Sequence, residues 1–245
     1  FAYTGPHKSR KEEPENMRGL GVEERVLVAH LDVLGMSRLI GRSTGEAWDL
    51  LLDLAEATES SELPLTTDTR ASLTERYFSD TILIRTQSDN IESLHAITAR
   101  SLEIFCNALR AGIPLRGGIA HGSWIESEKG DRDIFTGQAL LYAHDIGEAQ
   151  QMLGIALCAK SSARFATHPF SFSNGLSAVF EYDVPEKRGT CLRAVIDWPA
   201  ICRLEPTTMP HGSGREVANL FTTMGCYDSL DERARRKYDN TASFI

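Results

Sequence analysis

Two aspartates are the residues of this chain best placed to do chemistry. Asp32 ends the apolar run Val26-Leu27-Val28-Ala29-His30-Leu31 and is followed by Val33, Leu34, Gly35, Met36 and Ser37. Asp80 sits within Tyr77-Phe78-Ser79-Asp80-Thr81-Ile82-Leu83-Ile84, again among apolar residues. A carboxylate at the end of a buried strand packs poorly and is well placed for a cation. The turn Leu34-Gly35-Met36-Ser37 offers backbone N–H groups to an anion. Paired strand-borne acids beside a phosphate-sized turn suit two-metal chemistry on a nucleoside triphosphate. Taken singly, each acid is an ordinary turn or cap residue, and Gly-x-Ser is common in turns. The pair carries the reading.

Other side chains have both a plain and a chemical reading. Arg76, four positions before Asp80, either contacts a nucleobase or pairs with a surface acid. Arg116 lies in Pro114-Leu115-Arg116-Gly117-Gly118-Ile119-Ala120-His121-Gly122 and either reaches a phosphate or closes a salt bridge at a dimer interface. Strand alternation puts His30 on the same face as Asp32, where it reads as a hydrogen-bonded structural histidine. His121 and His144 lack the spacing of a zinc site. Tyr77 and Phe78 read as core, Tyr142 as a late-helix neighbour of the site, and the run Arg233 to Lys237 as a solvated helix face.

These groups need a sheet to position them. The Val26 run is short and β-branched, a buried strand. Ser43-Thr44-Gly45-Glu46 has capping-box spacing, and Trp48, Leu51, Leu52 and Ala55 mark the face of a helix that fades near Thr58–Pro64. A polar loop covers 65–72. Runs 73–78 and 81–86 predict a hairpin with Asp80 at its turn. Ile91, Leu94, Ile97, Leu102, Phe105 and Leu109 predict a helix over 91–110, stopped at Ala111-Gly112. Glycines 117, 118 and 122 predict a strand closely approached by another backbone, with Trp124-Ile125 continuing past a turn and a charged hairpin tip at Glu126–Asp133. A helix Gln138–Leu153, a strand Ile155–Ala159, a helical turn Ser161–Thr167, a loop Pro169–Gly175, strands Ser177–Tyr182 and Thr190–Ile196, and a helix Asp231–Lys237 complete the reading. The order matches an α+β, ferredoxin-like β-α-β-β-α-β core with a C-terminal strand and helix extension.

The bulk numbers bound the function. With 245 residues, 42% of them hydrophobic and 24% charged, the chain supports one large domain. Residues 1–16 are polar and aperiodic and read as a tag or disordered extension, with Met17 a plausible start and 17–245 a single domain. A net charge of −8 argues against binding a nucleic-acid polymer but not against one nucleotide. Cys106, Cys158, Cys191, Cys202 and Cys226 are odd in number and lack a Cys-x-x-Cys pair, so reduced thiols in a cytoplasmic protein are expected. No apolar run approaches the roughly 20 residues of a membrane span, so no membrane partner is expected.

Asp32 in Asp-Val-Leu-Gly-Met-Ser, Asp80 in Phe-Ser-Asp, and the Pro114–Gly122 segment followed by Phe135-Thr136-Gly137-Gln138-Ala139 together resemble the catalytic domain of class III nucleotide cyclases. Ile196-Asp197-Trp198-Pro199 and Lys237-Tyr238-Asp239-Asn240-Thr241 make it look most like the bacterial Pycsar pyrimidine cyclases, over about residues 24–242. The resemblance implies that Asp32, Asp80 and the Val33 carbonyl hold two Mg²⁺ or Mn²⁺ ions. It implies in-line attack of the ribose 3′-OH on the α-phosphorus with release of pyrophosphate, the Leu34–Ser37 turn cradling the phosphates. It also implies a head-to-tail homodimer with its sites at the interface, and a product that signals to a separate effector in antiphage defence.

Departures from the purine cyclases narrow the substrate. Their transition-state Asn and Arg fall near Leu141 and Asp145, and their purine-selecting Lys and acid fall at Arg76 and near Ile134. A guanidinium only donates, which suits the carbonyls of uracil, so UTP is preferred to CTP. The expected activity is uridylate cyclase, making 3′,5′-cyclic UMP. The alternatives are a cytidylate cyclase making cyclic CMP and a decayed dimeric nucleotide-binding sensor. A polymerase-like palm would need a basic groove that the charge disfavours.

Overall fold

The computed structural model describes residues 23–59, 73–129, 132–171, 175, 177–202, 213–221 and 225–245. The expected extension 1–16, the start at Met17, the loop 65–72 and the middle of the loop 169–175 lie outside the described residues.

The sheet is organised by β1 (Glu24–Val33), which pairs antiparallel with β3 (Thr81–Thr86) on one side and β4 (Leu115–Lys129) on the other. β2 (Leu73–Phe78) returns from β3 across the turn Ser79-Asp80, as the hairpin pattern predicts. Beyond β4 come β6 (Gly154–Leu157) in parallel, then β8 (Gly189–Ile196) and the edge strand β7 (Val179–Glu186), both antiparallel. The order is β2-β3-β1-β4-β6-β8-β7, with β5 (Arg132–Thr136) paired to the far end of β4. The leading β-α-β-β-α-β unit therefore has the expected ferredoxin-like pairing.

Opposite faces of the sheet are covered by different helices. α3 (Ile91–Arg110) has the predicted bounds, is capped by Asn90 accepting from the Ser93 N–H at 2.7 Å, and is buried along almost its whole length. It lies on the face of Glu75, whose carboxylate Arg100 grips at 2.5 Å. α4 (Gln138–Ala149) lies against the other face, and the glycines of β4 admit it. A Cβ at Gly118 would sit 2.3 Å from the Ala143 carbonyl, and one at Gly122 would sit 2.5 Å from the Ala139 nitrogen. The close backbone approach expected there is real, and its partner is α4.

Several boundaries differ from expectation. Met36, expected in a turn, opens a helix α1 (Met36–Arg42) and is fully buried. The chain then enters α2 (Thr44–Glu59), with Ser43 Oγ accepting from the Glu46 N–H at 3.2 Å. α2 buries Ala47, Leu54 and Thr58 and leaves Trp48 66% and Leu52 44% exposed, so its inward face is rotated from the one the large residues mark. Small Ala47 fits close to the neighbouring elements, where indole does not. β4 runs straight through Trp124, fully buried, to Lys129, and α4 stops at Ala149 instead of Leu153.

The C-terminal extension is more helical than its pattern indicates. It contains α5 (Ala159–Thr167), α6 (Trp198–Cys202), α7 (Gly214–Ala218) and α8 (Glu232–Phe244). α8 continues past Lys237 because Phe244 stacks on Phe180 at 5.7 Å and meets Tyr182 at 4.9 Å.

Candidate functional site

Strand register places the two acids. Asp32 lies opposite Thr81 of β3 and opposite Arg116 of β4. Asp80 immediately precedes Thr81, and its carbonyl accepts from the Val33 N–H at 2.7 Å. The two aspartates thus sit at neighbouring strand ends, and the charges of both reach the His30 ring.

Asp32 is engaged by Arg116, its direct cross-strand neighbour. Nε donates to Oδ2 at 2.8 Å, and Nη2 lies 2.8 Å from the same oxygen. Nη2 also reaches Glu148 of α4, which takes Lys187 Nζ at 2.8 Å. Nη1 of Arg116 is buried without an acceptor among the described residues. A buried donor left open costs about 1–3 kcal/mol, so an oxygen-rich anion would complete this arginine.

The donor set suits a hard divalent cation. Asp32, Asp80 and the Val33 carbonyl offer oxygens only, the preference of Mg²⁺ and Mn²⁺. Both Arg116 contacts use Oδ2, so Oδ1 of Asp32 has no protein donor among the described residues. No group of three or more His, Cys, Asp or Glu converges among the described residues, so substrate phosphates would have to complete the coordination.

The Leu34–Ser37 turn forms one wall of a cavity of about 290 Å³. Gly35 caps α1 with φ 87°, a left-handed conformation that favours glycine. The Leu34 N–H is taken by the Pro114 carbonyl at 2.9 Å, and the Gly35 carbonyl receives the Arg38 N–H. The N–H groups of Met36 and Ser37 find no acceptor among the described residues. Met36 can contribute only its backbone, since its side chain is in the core. The opposite wall is α8, with Asp231, Ala234, Lys237 and Tyr238.

Lys237 corrects the reading of Arg233 to Lys237 as a solvated face. It is half-buried, and burial, reinforced by the Arg116 charge, pushes its ammonium down to about 8 against the opposing pull of Asp32. The seven-residue apolar-poor pattern around it gave no sign of this.

A second cavity, of about 670 Å³, is lined by His30, Phe78, Ile125, Gln138, Leu141 and His144 among others. His30 and His144 meet edge to face with ring centroids 5.0 Å apart. Burial and the nearby His144 hold the His30 imidazole below its ordinary value, while Asp32 and Asp80 pull the other way. His144 was legible only as lacking zinc spacing. Its partnership with His30 leaves no local signal, because it depends on how α4 lies on the sheet. Around this cavity Phe78, Ile134, Leu141 and Tyr142 are 47%, 53%, 56% and 46% exposed. Phe78, read as core, is half open.

Arg76 is tied elsewhere. Its Nη2 bonds Glu126 and its guanidinium lies 4.9 Å over the Phe135 ring. Glu126 also takes Arg85 at 2.9 Å and Trp124 Nε1 at 3.1 Å. Burial raises this carboxyl, but the bonds from Arg76 and Trp124 and the Arg85 charge outweigh it and hold it below the usual carboxylate range. The acid that Arg76 pairs with is half-buried, not a surface one.

No protein-family model and no curated protein matches the chain. Its fold has clear neighbours among solved structures. The adenylyl cyclase CyaB of P. aeruginosa superposes with a TM-score of 0.52 at 11% identity, over 72% of this chain and 95% of that one. A bacterial light-regulated adenylyl cyclase superposes at 0.51 and 12% identity, over 76% of this chain and 55% of that one. At such identities the likeness is one of fold. The sheet order, the crossing helices and these neighbours agree that the chain has the α+β fold of a class III nucleotide cyclase domain.

Proposed function

We propose that the protein is a pyrimidine nucleotide cyclase that converts UTP to 3′,5′-cyclic UMP and pyrophosphate. One observation carries this reading. Asp32 and Asp80 lie on neighbouring stretches of backbone, beside a turn with open N–H groups and an arginine arm with no acceptor among the described residues.

Mg²⁺ or Mn²⁺ held by Asp32, Asp80 and the Val33 carbonyl would acidify the 3′-OH and neutralise the polyphosphate. The chain's own groups do the rest. The backbone of Leu34–Ser37 takes phosphate oxygens, and Arg116 offers Nη1 to the leaving pyrophosphate while keeping Asp32 oriented. Charge on that leaving group is met by fixed donors, which need no rearrangement as the bond breaks.

The active unit in this reading is a head-to-tail homodimer. Arg76 lies in β2 and Asp80 in the turn that follows it, and in this reading Arg76 serves the base bound at the partner's acids. The half-exposed Phe78, Leu141 and Tyr142 supply the apolar contact surface. Arg76 and Ile134 stand where purine cyclases select their base, which favours a pyrimidine. The Arg76–Glu126 pair complements O4 and N3–H of uracil, and also N3 and the amine of cytosine, so cyclic CMP is the alternative product. The product serves as a second messenger read by a separate effector in antiphage defence. No helix among the described residues is long and apolar enough to cross a membrane.

A second reading, a nucleotide sensor without turnover, is favoured by the closed Asp32–Arg116 pair and by Leu141 and Asp145 in place of the usual Asn and Arg. The purified protein, incubated with each ribonucleoside triphosphate and Mn²⁺ and assayed by mass spectrometry, separates the two. Cyclic UMP as the main product supports the proposal. Binding without turnover supports the sensor, whereas linear products, or neither binding nor turnover with any substrate, overturn both.

A further inference from the structure

In a protein of net charge −8, the end of the sheet at Asp32 gathers positive charge. Arg116, Lys187, Arg233 and Lys237 act on one another there, against the carboxylates of Asp32 and Glu148. We propose that Lys237, carried by the C-terminal helix α8, is a ligand for the substrate's polyphosphate, sharing it with the open arm of Arg116 and seating α8 against the Leu34–Ser37 turn. The proposal rests on the nucleotide reading of the site.

Lys237 differs from its neighbours on α8. Arg235 donates to the Tyr227 and Asp228 carbonyls, and Arg236 pairs with Glu232 at 3.5 Å. The Lys237 ammonium has neither a hydrogen bond nor an ion pair among the described residues, although the residue is half-buried. A desolvated ammonium facing other cations is unfavourable unless an anion joins it. The groups that face it are Arg116 of β4, Asp32 of β1, Lys187 of the β7–β8 turn and Arg233 of its own helix, with Asp231 at the cap of that helix and Arg38 across the cavity. This surplus of cations attracts a polyanion.

The inward placement is built, not incidental. One turn after Lys237, Asn240 Nδ2 donates to the Gln151 carbonyl at 2.6 Å, and buried Thr241 Oγ1 accepts from the Leu153 N–H at 2.8 Å. Residues three and four apart share a helix face, so the face that anchors α8 is the face that carries Lys237. Lys237 and the N–H-bearing turn then line the same 290 Å³ cavity, roomy enough for terminal phosphates.

The test is equilibrium titration of the full chain with inorganic tripolyphosphate, UTP and uridine. Lys237→Gln should weaken tripolyphosphate and UTP by a common factor of about 10 to 100 and leave uridine unchanged. Lys237→Arg should restore most of the affinity, and Arg236→Gln should bind as the unaltered protein does. Lys237→Met, which keeps the packing of the stem, serves if the glutamine variant misfolds. Tripolyphosphate binding unchanged in Lys237→Gln or Lys237→Met would overturn the proposal and leave the nucleotide reading standing. Failure of the unaltered protein to bind tripolyphosphate or any nucleoside triphosphate would overturn both.

Discussion

The cavity beside Leu34–Ser37 and the one beside His30 open off the same part of the sheet, and they are made of opposite materials. The first holds about 290 Å³ beneath a crowd of charges, with Lys237, Arg38 and Asp231 on its wall and Arg116 close by. The second holds about 670 Å³ walled by Phe78, Ile125, Leu140 and Leu141, with polarity confined to groups such as His30, Gln138 and His144. A polyphosphate is paid its hydration by fixed charges and N–H groups, whereas a flat ring is held by apolar surface and a few oriented donors. The division suggests why both lie beside β1. His30 and Asp32, two residues apart, share one face of that strand; His30 lines the apolar cavity and the Asp32 charge reaches Lys237 of the charged one.

The sharpest way to break this comparison is at the charged end. Asp80→Ala should lower cyclase turnover by about 1,000-fold or more while leaving thermal unfolding unchanged, as read by product mass and by calorimetry. Normal turnover would remove the acids from the chemistry. Asp32→Ala should lose turnover as well, but it also strips buried Arg116 of one of its two carboxylates, leaving only Glu148, and should cost about 1–3 kcal/mol in denaturant unfolding. That contrast between two acids of one site is itself a check on the Arg116 pair.

The apolar end responds through packing. Gly118→Ala places a methyl 2.3 Å from the Ala143 carbonyl and 2.7 Å from Ile146 Cβ, so α4 must lift off the sheet. A stability loss of about 1–3 kcal/mol is expected, measured by urea unfolding. An unchanged midpoint would mean that α4 yields easily. Leu141→Glu, on a residue 56% exposed, should change monomer stability by less than about 0.5 kcal/mol yet shift sedimentation toward monomer. A dimer of unchanged strength would place the contact surface elsewhere.

The smallest effect belongs to His30. Its folded imidazole lies below the ordinary value of 6.5, so below that pH the unfolded chain binds more protons than the folded one. The unaltered protein should therefore lose stability on acidification through about 6.5, and His30→Gln should lose less. Parallel pH profiles for the two would show that His30 is not held in its neutral form.

How far the site could be read in advance varies with the reach of each signal. The hairpin at Asp80 and the helix over 91–110 were visible because turn residues and apolar spacing act within a few positions. α2 was found but turned the wrong way, since Trp48 and Leu52 are large without being inside. α1 was missed because Gly35 and Ser37 look like a turn, which they begin and a helix then continues. Arg116 was read as a phosphate ligand or as a salt bridge at a dimer interface, but its position opposite Asp32 gives it an ion pair within the chain.

By itself the sequence determined that a strand would close near Asp32, that a hairpin would turn at Asp80 and that glycines in β4 would admit a neighbouring backbone. Those features follow from local periodicity and from the absence of a Cβ. Only the tertiary structure decided that Arg116 grips an acid 84 residues away, that His144 meets His30, and that Lys237 turns inward. Register and helix docking settle such contacts, and both are minima of the whole packed sheet and not of any short stretch of chain.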